Sequence, residues 1–91
     1  MKFEWDVKKA LLNIQKHGIS FEEGCTAFGD VLSLTIEDPL HSKDENRFIL
    51  IGKSIALNTL VVVHLENRDV IRIISVRKAT KHEQKAYEEN Q

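Results

Sequence analysis

Hydrophobic and polar positions along the chain predict a short strand, two helices, four further strands and a last helix. Residues 2–5 alternate polar and apolar, which is typical of a short strand with one buried face. After Asp6, a good N-cap, apolar residues recur at intervals of three and four and predict one buried helix face. These residues are Val7, Ala10, Leu11 and Ile14. Gly18 ends this helix, and a capping box that begins at Ser20 predicts a second, shorter helix to about Phe28.

The middle of the chain concentrates apolar and β-branched residues in four segments, which predicts an antiparallel meander. The segments lie at residues 32–36, 47–52 and 60–65, and from Val70 onward. Residues 66–69 form a turn candidate between the last two strands, and residues 55–59 are predicted as a flexible loop. Thr80 and Glu83 fit a capping box that begins the last helix. Helices packed on one face of such a sheet make an α+β sandwich whose opposite face stays partly open.

Length and composition predict one globular domain over residues 1–91, with 42% hydrophobic and 30% charged residues. The net charge is −1, but it is unevenly spread, at −4 over residues 1–46, +5 over 47–81 and −2 over 82–91. A basic strand region between acidic helical segments creates a local positive field that favours an anionic partner. An uneven surface distribution without function explains the count equally well.

The single cysteine, Cys25, excludes an internal disulfide and fits a reducing compartment. Its helical spacing with Phe21 and Phe28 predicts a buried, unreactive thiol. The N-terminus shows no secretory signal pattern, and no apolar run is long enough to span a bilayer. We therefore expect a cytoplasmic protein without a membrane partner.

Cationic side chains in the last strand are the strongest indication of a functional site. Arg72 interrupts an apolar run, and Arg77 and Lys78 close it just before the helix start at Thr80. Arginine can pair with a carboxylate or grip a phosphate with a planar fork of donors, and a helix N-terminus also favours anions. Alternation places Arg72 and Arg77 on opposite faces of a regular strand. Both reach one site only if a bulge or the strand end turns Arg77.

Several segments taken together resemble the BrnT-type toxins of bacterial type II toxin–antitoxin systems over nearly the whole chain. They are Phe3–Asp6, Lys16–Glu23, His41-Ser42, Arg47–Ile49, Gly52, Arg72–Thr80, Glu83 and Tyr87–Glu89. The resemblance implies a RelE-like fold, a toxin that halts growth by cutting RNA, and a cognate antitoxin that neutralises it. It also implies that DNA is bound only through the toxin–antitoxin complex, which represses the shared operon. The open sheet face and the strand edges indicate a homodimer or a toxin–antitoxin heterotetramer.

Metal-independent RNA cleavage needs a base for the attacking 2′-hydroxyl, cations for the phosphorane charge and an acid for the leaving oxygen. For the cations we expect Arg47, Arg72 and Arg77, since arginine binds phosphate with two donors and stays ionised. Lys53, at the end of the strand that carries Arg47, is expected to grip the RNA backbone or to donate a proton if its pKa is lowered. No cofactor is predicted.

The general base is open between His41 and Glu45, which both lie in the polar loop before the second strand of the meander. His64 is internal to an apolar strand, where a core histidine is more common than a catalytic one. Lys78 is expected to contact RNA. Tyr87 could stack on a base or donate a proton, or it could be an apolar anchor for the last helix.

Three further features of the sequence bear on its function, namely an acidic loop, the composition of the last helix and the loop after Ser54. The loop Glu37–Glu45 offers Asp38, His41 and Glu45, but its spacing fits neither a zinc nor a calcium site, so we predict no metal. The last helix is less basic than the arginine-rich helix that the resemblance implies, and the loop after Ser54 lacks the expected glycine. The alternative is a non-catalytic module that binds RNA or a protein partner through the same basic strands, or a degenerate toxin that retains antitoxin binding without cutting.

Overall fold

A computed structural model describes residues 1–41 and 46–90, with the side chain of His41 excepted. Within these ranges the chain forms three helices and five strands. They are β1 (Lys2–Glu4), α1 (Val7–His17), α2 (Phe21–Thr26), β2 (Leu34–Glu37), β3 (Arg47–Lys53), β4 (Thr59–Asn67), β5 (Val70–Lys78) and α3 (Lys81–Glu89). Short 3-10 turns follow α2 and β2, at Ala27–Gly29 and Pro39–His41. No helix in the described ranges is long and apolar enough to cross a membrane.

The five strands belong to one sheet in the order β1-β5-β4-β3-β2. Strands β2 to β5 form the predicted antiparallel meander, and β1 lies parallel to β5, with Phe3 opposite Ile71. The predicted α+β architecture is therefore confirmed, and the N-terminal strand extends the meander to a five-stranded sheet. The parallel pairing is possible because the chain between β1 and β5 is long enough to cross over.

The main hydrophobic core lies between one face of the sheet and the helices α1 and α2. Its fully buried side chains include Phe21, Leu60, Val62, Ile73 and Val76. The buried Asn13 joins α1 to β5. Its amide donates to the carbonyl oxygens of Ile19 and Val76 (2.9 and 2.8 Å) and accepts from the Val76 N–H (3.1 Å). These three bonds fix the rotation of α1 about its own axis.

The predicted buried face of α1 is confirmed at Ala10 and wrong at its other three positions. The buried residues of this helix are Ala10 and Asn13. The other predicted core positions are exposed, namely Val7 (68%), Leu11 (58%) and Ile14 (45%). The apolar period is helical, but its direction lies about a quarter turn from the side that contacts the sheet. Asn13 takes the buried side because its amide can bond both the α1–α2 connection and β5.

A β-bulge in β5 resets the alternation of its side chains. The adjacent residues Val63 and His64 of β4 are opposite Ser75 and Ile73, which are two residues apart. Ile74 is therefore an extra residue on β5. Beyond the bulge, odd-numbered residues of β5 point to the face that even-numbered residues occupy before it.

The β3–β4 connection is a hydrogen-bonded turn and not the flexible loop that its sequence predicts. The Leu57 N–H donates to the Ser54 carbonyl (2.9 Å), and the Ser54 N–H donates to the Asn58 carbonyl (2.8 Å). The Ile55 N–H donates to Thr26 Oγ1 (3.0 Å) and so ties the turn to α2. Leu57 has φ +66°, a left-handed conformation that usually requires glycine.

Candidate functional site

Helix α3 covers one end of the sheet face opposite α1 and α2 and leaves the rest of that face partly open. Tyr87 of α3 is 3% exposed and packs on the neighbouring residues Ile51 and Val61. Farther along the same two strands, Ile49 and Val63 are half-buried. An accessible surface therefore lies beside α3, on the side of the sheet that the large core does not use.

Arg47, Arg72 and Arg77 all lie on this partly open surface, which we call the arginine face. Arg47 and Arg72 flank Leu65 of the central strand β4, one on each side. Two strand spacings place their backbones about 10 Å apart. Arg77 is opposite Val61, four residues from Leu65 along β4, or about 13 Å. The bulge puts Arg77 on the same face as Arg72, since a regular strand would turn the two to opposite faces.

Each of the three arginines is paired with a carboxylate from a different part of the chain. The pairs are Arg47 with Asp38 (Nε–Oδ2 3.1 Å), Arg72 with Glu4 (Nη1–Oε2 2.7 Å) and Arg77 with Glu83 (Nη1–Oε1 2.7 Å, Nη2–Oε2 2.8 Å). These pairs orient the guanidinium groups and partly neutralise them. A phosphate that binds the arginine face must share guanidinium donors with the carboxylates or displace them.

The Arg77–Glu83 pair is built into the start of α3. Glu83 Oε1 also accepts from the Thr80 N–H (2.8 Å), while Thr80 Oγ1 accepts from the Glu83 N–H (3.2 Å), which completes the predicted capping box. Hydrogen bonds from Arg77 lower the pKa of Glu83 to about 2, although burial acts in the opposite direction. The same hydrogen bonds raise the pKa of Arg77. Both groups are charged at neutral pH, and Glu83 is a poor proton acceptor.

Lys53 lies at the opposite end of β3 from Arg47. The two residues are six positions apart, or about 20 Å along the strand. Ile51 and Val61, which Tyr87 covers, lie between them on this face. Lys53 is therefore not beside the other predicted cations.

The side chain of Lys53 borders a cleft of about 510 Å³ between the β3–β4 turn, α3 and the segment around Asp30. Asp30 Oδ2 accepts from the Tyr87 hydroxyl (2.6 Å) and from the Lys53 backbone N–H (2.8 Å). Burial acts to raise the pKa of Asp30, but hydrogen bonds from Tyr87, Lys53 and Leu32 outweigh it and hold that pKa below its ordinary value. The charged Asp30 thus ties α3 to the end of β3.

The predicted general bases cannot be placed. Glu45 and the side chain of His41 lie outside the described residues. His64 is fully buried on the helix-covered face, where its ring lies edge-on to Phe28 with 4.8 Å between centroids. Its Nε2 is 2.9 Å from Glu66 Oε2. His64 is thus a core residue on the side of the sheet away from the arginines.

The two predicted RNA contacts differ in accessibility. Lys78 is exposed at the end of β5, and its carbonyl accepts from Arg77 Nη1 (3.3 Å). Tyr87 is buried, and its hydroxyl binds Asp30. In this conformation Tyr87 offers no open ring face for stacking and anchors α3.

Among the residues that the structure describes, other reactive groups do not form a second centre. Burial raises the pKa of the Cys25 thiol to about 11, which suppresses the nucleophilic thiolate. Within residues 1–41 and 46–90, no group of three or more His, Cys, Asp or Glu side chains could hold a metal ion. The metal reading of loop Glu37–Glu45 falls partly outside the described residues.

The carboxylates Glu4, Asp38 and Glu83 are neighbours of the arginine face that sequence patterns do not predict. Asp38 stands out in the sequence as a metal-ligand candidate, and Glu83 as part of a capping box. Their pairing with arginines depends on strand register and loop path, which leave no local signal. The one feature of the sequence that hints at these ion pairs is the charge distribution, because acidic segments flank the basic one.

Comparisons with known proteins place the chain among toxins. The sequence matches the family described as "Ribonuclease toxin, BrnT, of type II toxin-antitoxin system" over residues 5–83. The structure is similar to the 1.1 Å crystal structure of the Brucella abortus ribonuclease toxin, BrnT, with a TM-score of 0.71 and 26% sequence identity. That match covers 89% of this chain and 99% of the Brucella chain. No curated protein sequence matches.

Proposed function

The chain belongs to the BrnT family of ribonuclease toxins of type II toxin–antitoxin systems, and we propose that its arginine face cuts RNA without a metal ion. In this proposal a cognate antitoxin neutralises the toxin. The observation that carries it is the bulge at Ile74, which brings Arg72 and Arg77 onto one partly open face with Arg47. A set of fixed cations at an accessible surface is what a polyanionic substrate requires.

RNA can be cleaved by its own 2′-hydroxyl, and this reaction needs no metal. The 2′-oxygen attacks phosphorus, the bond to the 5′-oxygen of the next nucleotide breaks, and a 2′,3′-cyclic phosphate and a 5′-hydroxyl result. Negative charge accumulates on the phosphorane between these events, and guanidinium groups stabilise it with two donors each. We assign this role to Arg72 and Arg77, with Arg47 on the same or a neighbouring phosphate.

The proton transfers need groups near the scissile phosphate. A base accepts the proton of the 2′-hydroxyl, and an acid protonates the leaving 5′-oxygen. His41 and Glu45 are the proposed bases, since their loop leads directly into β3 at Arg47. Glu83 is unsuited to this role, because Arg77 holds its pKa at about 2.

The remaining basic residues are proposed to contact RNA away from the scissile phosphate. Lys53 is about 20 Å from Arg47 along β3, a distance that fits contact with a more remote phosphate. Lys78 is opposite Leu60, so alternation points it away from Arg77, but it is exposed at the end of β5, where we propose that it contacts the RNA backbone. We propose that Tyr87 acts by holding α3, and hence Glu83, in place.

The antitoxin is proposed to cover the arginine face and so compete with RNA. Half-buried apolar side chains between the arginines, such as Val63 and Leu65, give a protein partner hydrophobic contacts that RNA does not use. Assembly as a dimer or a toxin–antitoxin heterotetramer, and DNA binding through that complex alone, are part of the same proposal. No cofactor is required.

A non-catalytic module is the second candidate. It is favoured by the ion pairs, because all three arginines already have carboxylate partners. A degenerate toxin of this kind would bind its antitoxin, or bind RNA, without cutting it.

Expression of the chain without its antitoxin tests the proposed toxicity. We expect growth arrest, and we expect Arg72→Ala or Arg77→Ala to relieve it while circular dichroism shows a folded protein. Arg68→Ala is the matched control, because Arg68 is exposed in the β4–β5 turn, outside the arginine face. Undiminished arrest by folded variants of Arg47, Arg72 and Arg77 would refute the assigned site, and a harmless wild type would favour the non-catalytic module.

A further inference from the structure

The outer flank of α1 carries a largely exposed apolar stripe that belongs to neither hydrophobic cluster of the described residues. Val7, Leu11 and Ile14 are 68%, 58% and 45% exposed and follow the i, i+4, i+7 spacing of one helix side. We call these three residues the α1 stripe. Single exposed apolar residues are ordinary, but an aligned set on one helix is typical of a contact surface.

The α1 stripe cannot turn into the core of this molecule. Asn13 holds α1 to β5 with three buried hydrogen bonds, and Ala10 fills the remaining contact side. Rotation of the helix by the quarter turn that would bury the stripe would break all three bonds. The α1 stripe therefore faces outward because the hydrogen bonds of Asn13 fix the rotation of the helix.

The charges of α1 indicate the chemistry of whatever covers the stripe. Between Val7 and His17 the helix contains Lys8, Lys9 and Lys16 and no carboxylate. Two of these lysines lie in the first turn, where a cation opposes the helix dipole. Lys8 follows Leu11 around the helix by about 60°, so it borders the stripe. A partner with an apolar stripe and acidic neighbours complements both features.

A second copy of the chain is a poorer occupant. Two α1 helices packed through their stripes would leave Lys8 of each copy without a charge partner on the facing helix, because α1 contains no carboxylate. The partner that a type II toxin family implies is an antitoxin. We infer that the α1 stripe and Lys8 form a docking surface for an acidic, amphipathic helix of the cognate antitoxin, an inference that rests on the proposed function.

This surface is separate from the arginine face. α1 packs on the sheet face that holds Val76, to which its Asn13 bonds, whereas the arginines point to the other face. A helix docked on α1 leaves RNA access unchanged. It anchors the antitoxin, and a different antitoxin segment has to cover the arginines. The α1 stripe therefore governs antitoxin affinity and not the cleavage reaction.

Calorimetric titration of the purified chain with its cognate antitoxin tests this inference. All proteins carry Arg72→Ala, so that the toxin can be expressed. Leu11→Gln is the test variant and Val31→Gln is its control, because Val31 is 96% exposed in the turn before β2, outside α1. We expect Leu11→Gln to raise the Kd at least about tenfold and Val31→Gln to leave it unchanged. Lys8→Gln should raise the Kd and make binding less dependent on salt. Lys16 lies about half a turn from Val7, so Lys16→Gln should change neither quantity.

The possible outcomes separate the inference from the proposed function. If the Arg72→Ala parent, the Leu11→Gln variant and the control variant bind with equal affinity, the α1 docking surface is wrong and the antitoxin partnership stands. If the chain binds no antitoxin at all, the α1 docking surface and the proposed antitoxin partnership both fail. A concentration-dependent dimer of the chain alone that Leu11→Gln abolishes, seen by sedimentation, would assign the stripe to a second copy and overturn the inference.

Discussion

Arg77 and Glu83 form a two-point ion pair that links the end of β5 to the first turn of α3. Both guanidinium nitrogens of the Arg77 terminus take part, with Nη1–Oε1 at 2.7 Å and Nη2–Oε2 at 2.8 Å. The side chains are 39% and 24% exposed, so that the pair lies at the rim of the covered area and not beneath it. This ion pair therefore orients the guanidinium group of Arg77, a candidate catalytic residue. It also holds the first turn of α3 against the end of β5.

Replacement of Glu83 by Gln is expected to lower the free energy of unfolding by about 1 kcal/mol, because a charge-assisted bidentate pair becomes a single neutral hydrogen bond while solvent screens the loss. Urea unfolding measures the difference. Glu88→Gln on the same helix is the control and should change the free energy by less than about 0.5 kcal/mol. Equal stabilities of the two variants would show that the pair contributes nothing.

The stability that Glu83 provides is expected to vanish in acid. The pKa of Glu83 is about 2 in the folded protein, against an ordinary value of 4.5. The ionised carboxylate therefore stabilises the fold fully at pH values above the unfolded pKa. The contribution is lost as the pH falls from 4.5 to about 2. The difference in unfolding free energy between wild type and Glu83→Gln should therefore be largest at neutral pH and approach zero as the pH falls towards about 2. The lowered pKa of Asp30 affects both proteins alike and cancels. A gap that is constant with pH would contradict the assignment.

Asn13→Ala is expected to destabilise the fold by about 2–4 kcal/mol, because it leaves one buried N–H and two buried carbonyls without their partner. Thermal unfolding followed by circular dichroism measures this. Gln15→Ala, at an exposed position on the same helix, should leave the melting temperature nearly unchanged. If the two variants melt together, Asn13 does not fix the rotation of α1.

Leu57→Gly is expected to stabilise the protein by about 0.5–1 kcal/mol, since glycine adopts φ +66° without the steric cost that leucine carries there. Little packing is lost, because Leu57 is 76% exposed. Ile55→Gly, two residues earlier and without a positive φ, lacks this relief and should be neutral or destabilising. Urea midpoints of the two variants decide the matter, and a destabilised Leu57→Gly would mean that the left-handed conformation is not strained.

Local signals in the sequence are sufficient for the helix starts and the meander. The side chains of Asp6, Ser20 and Thr80 each accept a hydrogen bond from a backbone N–H three residues on, as predicted. Gly18 ends α1 with φ +71°. Caps and turns involve neighbours in the chain, so a short segment contains all the information that they need.

Features that depend on distant residues are not predictable in this way. The buried side of α1 is decided by a bond between Asn13 and β5, 63 positions away. The sequence indicates only that a bulge or a turned strand end is needed to bring Arg72 and Arg77 to one site, and the place of the bulge at Ile74 follows from strand pairing and not from composition. The same holds for the partners of the arginines. Charge density indicated a basic region, and only the register of the sheet assembles it into one face.

Cleavage of a structureless RNA by the purified, antitoxin-free chain, with and without EDTA, tests the central claim most directly. We predict cuts that resist EDTA, leave 2′,3′-cyclic phosphate ends and disappear in folded Arg72→Ala and Arg77→Ala proteins but persist in Arg68→Ala. Cuts that EDTA abolishes, or that survive the loss of both arginines, would contradict a metal-independent reaction on the arginine face.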